Sequence, residues 1–469
     1  RWLEELGKQL KHPGMRVRLR AQIALTRNEK GFQTLANAAK SADQMERIHG
    51  IWGLGILARR GPVPSASNSG FADLPNLSQR KAAGNRIVEQ LEHPDEETRV
   101  QALRAIADSG LPGDMLAVGP LLATDKSDRV RLHAALAIGK MGIVSNFGNI
   151  CDFLRQNDNK DIFLRHAGIF ALEKMGAKGI DISALKSDKS AAVRLAATVA
   201  LRRLHSPKVS LFVTDSDPAV SDEAVRAIYD NVLDEERPVV ASLLDNPESR
   251  KWTPFMMRRL IHNSFRIGDA ENLKRVLKVA TTPSLSQDVR EEALRLVSIW
   301  TEPHTNDQLT GHYRPLPPRK VEDIKPTLNA ALPELLKQDG FVLTAALGLM
   351  EHYKLDTKSL DEPTLRSLIT NTKLPAEARA KALDLLVERK PADLNAFLAK
   401  IATDSANEVA LAALTGLAKG DPKAAIAPLE AAIDSNNSAR AQKAWQILAT
   451  IDGKEADGFF VKHLDALKA

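Results

Sequence analysis

An arginine followed by a small side chain at +3, a small or apolar one at +6 and an apolar one at +7 recurs along this 469-residue chain. The copies begin at Arg18 (Ala21, Ala24, Leu25), Arg47 (Gly50, Gly53, Leu54), Arg99 (Ala102, Ala105, Ile106), Arg131 (Ala134, Ala137, Ile138), Arg165 (Gly168, Ala171, Leu172) and Arg194 (Ala197, Ala200, Leu201). Looser copies start at Arg290 and Arg379, and a degenerate one lies near Arg440. The first six starts are 29, 52, 32, 34 and 29 residues apart. Positions +3, +6 and +7 share one face of a helix with 3.6 residues per turn, and small side chains there let a second helix come close. Each copy therefore marks one packed helix.

Helix-starting residues precede many copies: Asp95-Glu96-Glu97 before Arg99, Asp125-Lys126-Ser127-Asp128 before Arg131, Asp188-Lys189-Ser190 before Arg194 and Asp288 before Arg290. Their side-chain oxygens can accept from the free N–H groups of a first helical turn. Further upstream lies another short apolar-periodic stretch, such as Ile87 to Leu91 or Met115 to Leu122. The unit is thus helix, turn, helix. Two short helices cannot cover their own apolar face, so neighbouring units must stack into one continuous core. The predicted fold is all-α, an α-solenoid, or superhelix, of short helix pairs. Composition agrees: 43% of residues are hydrophobic but only 4% aromatic, which favours close-packed helices over sheets built from β-branched and aromatic residues.

Two segments break the rhythm. Gly61 to Gly70 is rich in Pro, Gly and Ser and accounts for the 52-residue step as an inserted loop over 61–79. The stretch Thr301 to Pro326 holds five prolines, which forbid a continuous helix. The expected organisation is a solenoid block over 1–300, a Pro-rich crossover over 301–326 and a second block over 327–469.

The arginines Arg18, Arg47, Arg99, Arg131, Arg165, Arg194, Arg290 and Arg379 each come with an Asp or Glu nearby, which predicts a structural ladder of paired charges, not a phosphate site. His49, His133 and His166 stand beside ladder arginines. Equivalent positions in stacked units lie about 10 Å apart, too far to share a metal ion. Trp52, Trp252, Trp300 and Trp445 fall on apolar helical faces and are expected in the core. The cluster His304, Asp307, His312, Tyr313 and Arg314 in the proline-rich stretch is unusual for a linker and makes it the candidate interaction loop; the alternative is a crossover whose polar groups tie two stacks together. No His-Glu-x-x-His, Walker loop, Gly-x-Ser-x-Gly or Gly-x-Gly-x-x-Gly segment occurs. No catalytic residue, cofactor-binding residue or metal ligand is therefore expected in this chain, and it is not read as an enzyme.

The lone cysteine, Cys151, excludes a disulfide, a CxxC redox pair, a cysteine zinc cluster and a CxxCH haem attachment within the chain. No apolar run reaches the ~18 residues of a membrane-spanning helix. Net charge is +6, but residues 1–60 hold 12 Lys and Arg against 5 Asp and Glu, so the rest is near neutral. A basic N-terminal face can steer an acidic partner, whereas a long cationic groove for nucleic acid is not expected. Arg1 to Leu6 already reads as a helix in progress with no signal peptide ahead of it, which suggests a segment of a longer protein.

The capping Asp or Ser followed by Val-Arg-Leu resembles the HEAT repeat, in which the arginine and a preceding acid form a ladder along the stack. The observed period is shorter than the 40 to 47 residues usual for HEAT and armadillo units, and is similar to the short HEAT-like variety. Ile299-Trp300-Thr301-Glu302-Pro303-His304-Thr305-Asn306-Asp307, then Gly311-His312-Tyr313-Arg314-Pro315-Leu316, resembles a Trp-x-x-Pro-x-x-x-Asp…Gly-x-x-Arg-Pro-Leu segment of large haem-binding proteins of planctomycetes and verrucomicrobia. His12 to Arg18, Arg47 to Leu54 and the tail Ala456 to Leu467 are similar to that family's helical region. The resemblance implies a parent protein that is exported or periplasmic. It would join a β-propeller like that of sugar dehydrogenases, a HEAT-like middle and a c-type cytochrome domain. This chain resembles only the middle, so haem and any dehydrogenase activity would belong to the parent. The function implied is a non-catalytic scaffold positioning redox domains of the same chain. Other readings open on the residues are a cytoplasmic HEAT-repeat adaptor for protein partners and, third, a HEAT-like DNA glycosylase or bilin lyase.

Overall fold

The computed structural model describes residues 2–28, 30–59, 77–110, 117–338, 340–356 and 360–466. Residues 61–76 of the expected inserted loop, Met115 and Leu467 lie outside the described residues, and Leu77 opens the helix Leu77–Val88. Among the described residues every regular element is helical, and the lone exception is an isolated antiparallel bridge between Asn306 and Tyr313. The chain forms an all-α solenoid of helix pairs, divided into two compact units, 1–236 and 237–469. The division falls between Glu236 and Arg237, so the proline-rich stretch lies inside the second unit and links two successive pairs.

We number the second helix of each pair. The first unit contains α1 (Met15–Thr26), α2 (Gln44–Arg59), α3 (Glu96–Ser109), α4 (Asp128–Met141), α5 (Ile162–Gly176), α6 (Ala191–Arg203) and α7 (Pro218–Asp230). The second contains α8 (Pro254–Ile267), α9 (Gln287–Ser298), α10 (Phe341–Tyr353), α11 (Ala376–Arg389), α12 (Asn407–Gly420) and α13 (Ser438–Leu448). First helices of full length, such as Gly31–Ala38 and Phe147–Asn157, shrink to 3₁₀ segments at Ile182–Ser187 and Pro207–Phe212, ahead of α6 and α7.

The ladder arginine is the fourth residue of its helix in α1 to α6, α9 and α11. Elsewhere that position holds Ser221, Met257, Thr344, Ala410 and Ala441, so α7, α8, α10 and α12 carry no copy of the arginine pattern, and α13 carries only the degenerate one at Arg440, its third residue. Helix starts follow the expected chemistry where a short oxygen-bearing side chain is available. Asp95 accepts from Thr98 N, Ser127 from Val130 N and Asp217 from Ala219 N and Val220 N. Ser190 holds the N-cap position of α6 without a side-chain cap bond, and Asp288 sits inside the first turn of α9.

The small residues of the repeat meet the first helix of their own pair. A Cβ on Gly50 would lie 2.4 Å from the Ala39 amide nitrogen, so any larger side chain would force the two helices of that pair apart. The apolar members Leu25, Leu54, Ile106, Ile138, Leu172 and Leu201 are all at most 3% exposed. Each such burial contributes about 2 kcal/mol.

One expectation about the proline-rich stretch is revised. Helix Val321–Leu335 begins inside it and carries Pro326 and Pro333 in its interior. An interior proline costs about 3 kcal/mol, but Ile324, Leu328, Leu332 and Leu335 are each 1–2% exposed and together outweigh that cost. The irregular crossover thus ends at Lys320.

Candidate protein-docking face

The guanidinium groups of the ladder work in two directions. In α1, α2, α3 and α6 one arm donates to the carbonyls five and six residues upstream, as Arg99 does to His93 O (2.8 Å) and Pro94 O (3.0 Å). The other arm reaches the loop that starts the next second helix. Arg47 meets Asp95 at 3.0 Å, Arg99 chelates Asp125 at 2.7 and 3.1 Å, Arg194 chelates Asp215 at 2.7 and 3.0 Å, and Arg379 pairs with Asp404. Burial acts to raise the Asp95 carboxyl, but hydrogen bonds from Thr98, Gln44 and Arg47 outweigh it and hold the group well below the usual range. Arg131 pairs with Asp128 of its own turn and Gln156 of the next unit. Arg18 donates to His49 and Arg290 to Gln338, so amide or imidazole replaces carboxylate there. Arg165 makes no side-chain hydrogen bond or ion pair to a described residue, because Asp188, the acid of the next turn, is taken at 2.8 Å by Arg155 on Phe147–Asn157.

The candidate interaction loop is an ordered hairpin-like crossover. Asp307 N donates to His312 O (2.9 Å) and Arg314 N to Thr305 O (3.0 Å). The Asp307 carboxylate, 1% exposed, accepts from Leu309 N and Thr310 N and lies 3.3 Å from Arg266 and 3.5 Å from Arg314. At its base, Trp300 is fully buried, packs edge-on to Phe265 with ring centres 5.3 Å apart, and donates its indole N–H to Gly268 O. Arg319 lies over both rings at 5.0 and 5.2 Å and donates to Trp300 O and Phe265 O. Burial, reinforced by the Arg266 charge, lowers the Arg319 pKa to about 10. Of the five residues singled out in sequence, the structure joins Asp307 and Arg314 in this internal cluster. His304, His312 and Tyr313 stand exposed on the crest, Tyr313 at 74%. Among the described residues no group of His, Cys, Asp and Glu is placed to hold a metal ion.

Two features here carry no sequence motif. His262 of α8, 3% exposed, meets Glu292 of α9 at 2.5 Å, and Glu292 also accepts two bonds of 2.8 Å from Arg295. Burial lowers the His262 pKa despite that neighbour; burial would raise Glu292, but the Arg295 and His262 bonds hold it far below the usual carboxylate range. Beside this cluster, α9, α10 and α11 open a groove of about 680 Å³. Its floor is lined by small residues, Ser298, Ala345 and Gly348, with Leu294 and Leu349 beside them. Glu291, Phe341 and Glu377 stand toward the helix N-termini, Arg295 and Lys381 lie one turn further along α9 and α11, and His352 stands near the C-terminus of α10. The i, i+4 spacing of side chains on three neighbouring helices builds this groove, so only the stacking reveals it.

The other singled-out side chains are mostly half-buried. His49 bonds to Gln22 (2.7 Å) and Arg18 (3.1 Å), His133 is half-buried, and His166 is exposed, 3.5 Å from Arg203. Of the four tryptophans expected in the core, Trp300 is there and Trp52, Trp252 and Trp445 are half-buried. Trp52 explains why: its indole N–H must reach Gln101 at 2.9 Å while Arg104 covers its face, which keeps the ring at the margin between core and water.

No protein-family model matches the chain, and no curated protein matches it. Among solved structures it is similar to yeast importin-β at 14% identity, covering 95% of this chain and 67% of that one, with a TM-score of 0.39. A model of the AP-3 complex is similar at 12% identity, 95% and 90% coverage and a TM-score of 0.40. The CpcE–CpcF complex of phycocyanin lyase from Nostoc is similar at 14% identity, 59% and 90% coverage and a TM-score of 0.26. Superpositions this loose carry no argument about this chain.

Proposed function

We propose that this chain is a non-catalytic solenoid scaffold that holds other protein domains through the groove on α9, α10 and α11 and the crest of the 299–320 crossover. The observation that supports this most directly is the groove itself: a charge-bordered cleft with a floor of small and apolar side chains, set on a rigid helical stack instead of a mobile loop. Because each pair bears on its neighbours, the number of repeats sets the distance between whatever is bound at different points of a stack.

On the strength of the Trp300 to Leu316 resemblance, we place the chain in the middle of a longer exported protein, between a β-propeller and a c-type cytochrome domain. In that reading the haem is carried by the cytochrome domain and no cofactor by this segment. Sequencing the reading frame on both sides of the chain, producing the flanking domains separately and titrating each into this chain by calorimetry tests it. The expected result is a propeller and a CxxCH domain in the frame, at least one binding at micromolar strength. A frame lacking both, or domains that show no heat of binding, would overturn the proposal.

A further inference from the structure

We infer that the α9–α10–α11 groove accepts one amphipathic helix of a protein partner, acidic in its first turn and basic in its last, lying antiparallel to α10. This deepens the scaffold reading and rests on it. Four observations converge. The floor follows Ser298 on α9 and Ala345 and Gly348 on α10, so a helix backbone can descend to the 8–10 Å interaxial distance of close packing. Leu294, Leu349 and Phe341 offer apolar contact around that floor, and Arg290 lies over the Phe341 ring at 5.1 Å, holding it at the groove's end. From Phe341 to His352 the groove runs along twelve residues of α10, a rise of about 16 Å, the length of three helical turns.

The borders select orientation. Glu291 and Glu377 flank Phe341 at the N-terminal end, where Arg290 is engaged on the Phe341 ring; Arg295 and Lys381 follow one turn along α9 and α11, with Lys381 beside Gly348, and His352 stands at the far end. A helix with acids in its first turn and bases in its last, the arrangement its own dipole favours, meets opposite charges at both ends only when antiparallel to α10. The competing internal pairs are weak. Glu377 and Lys381 are 3.9 Å apart and Glu377 is 69% exposed, while among the described residues Glu291 accepts from Gln287 alone. Such exposed partners are exchanged at little cost. Arg295 keeps Glu292 as one partner and remains 39% exposed.

The test uses two labelled 14-residue peptides of identical composition, one with Glu in the first turn, a Leu and Ala stripe and Lys in the last turn, the other with the charged turns exchanged. Fluorescence anisotropy with the full chain is expected to give micromolar binding of the first and at least tenfold weaker binding of the second. Exchanging the border with Glu291→Lys and Glu377→Lys should remove that preference. Gly348→Leu should abolish binding of both peptides; a Cβ there makes only ordinary 3.5 Å contacts with the flexible end of Lys381, Gly348→Ala serves as the milder variant, and circular dichroism checks that each keeps its fold. Equal affinity for the two peptides, no binding of either, or binding that survives Gly348→Leu would each overturn the inference. If the flanking domains bind while the peptides do not, the scaffold stands and the groove's occupant is wrong.

Discussion

Arg194 and Asp215 show what the ladder does at the scale of single residues. Their side chains are 12% and 7% exposed and share two nearly parallel contacts. Removing one member of a covered ion pair strands the other, so Asp215→Ala should cost about 3 kcal/mol, while replacing both by Arg194→Met and Asp215→Leu should cost less. Urea midpoints read by circular dichroism decide this; a double variant as unstable as the sum of its parts would refute the coupling. Titration is governed by burial in the same way. His262 has its pKa lowered below 6.5 chiefly by burial, and His49 and His133 are lowered by the same cause. A base with a depressed folded pKa leaves the unfolded chain to take up the proton first, so its stabilisation is intact above 6.5 and is lost as pH falls below it. These imidazoles should therefore lower the thermal midpoint between about pH 7 and pH 5, against the opposite contribution of Asp384, whose carboxyl burial raises to about 6, and His262→Gln should remove its share of that drop. An unchanged slope would show that His262 does not contribute.

Among elements, the crossover and its neighbouring helix end give a comparison with a built-in control. Gly110 and Gly268 both adopt left-handed backbone at helix ends, with φ of 61° and 80°. A Cβ on Gly110 meets nothing within 4 Å, whereas one on Gly268 would lie 2.2 Å from Arg319 Nε. Alanine at either site incurs the left-handed penalty of about 1 kcal/mol. At Gly268 it must also displace Arg319 from Trp300 and Phe265, adding about 1–3 kcal/mol of overpacking. Equal midpoint shifts for the two variants would mean that Arg319 does not lock the crossover. The helix Phe147–Asn157 has its own reporter in Cys151, 6% exposed, whose thiol burial pushes up to about 11. A thiol reagent near pH 8 finds almost no thiolate there, so labelling should proceed at the opening rate of that helix and accelerate with urea. Rapid labelling of the native chain would contradict the burial.

At the scale of the whole molecule, a stack in which each pair leans on its neighbours distributes stability locally. Trp300→Ala empties a fully buried site and should cost about 3–5 kcal/mol. Hydrogen exchange is expected to show the loss in α8, α9 and Val321–Leu335 of the second unit, with the first unit unchanged; uniform loss through both units would contradict the division at 236/237. Helix pairing was legible from sequence because a side chain every three or four residues on one face is a local signal, and the arginine at the fourth helical position repeated it eight times. Where Ser221, Met257, Thr344 or Ala410 replaced that arginine, the signal vanished while the helix remained, and in α13 only the degenerate copy at Arg440 was left, since packing and not the guanidinium holds these helices. The loop cluster was half legible: the residue types announced Asp307 and Arg314 together with His304, His312 and Tyr313, yet which of them turn inward depends on where Arg266 arrives from α8. By itself, then, the sequence determined an all-helical solenoid and the places of its ladder arginines, because propensity, capping and periodicity act within one unit. Stacking decided which of them meet a carboxylate: among the described residues Arg18, Arg165 and Arg290 do not. Only the tertiary structure decided where the two units divide, that Trp300, Phe265 and Arg319 close the crossover, that His262 faces Glu292, and that three helices border a polarised groove. Those depend on side chains tens of residues apart, which are brought together by stacking alone.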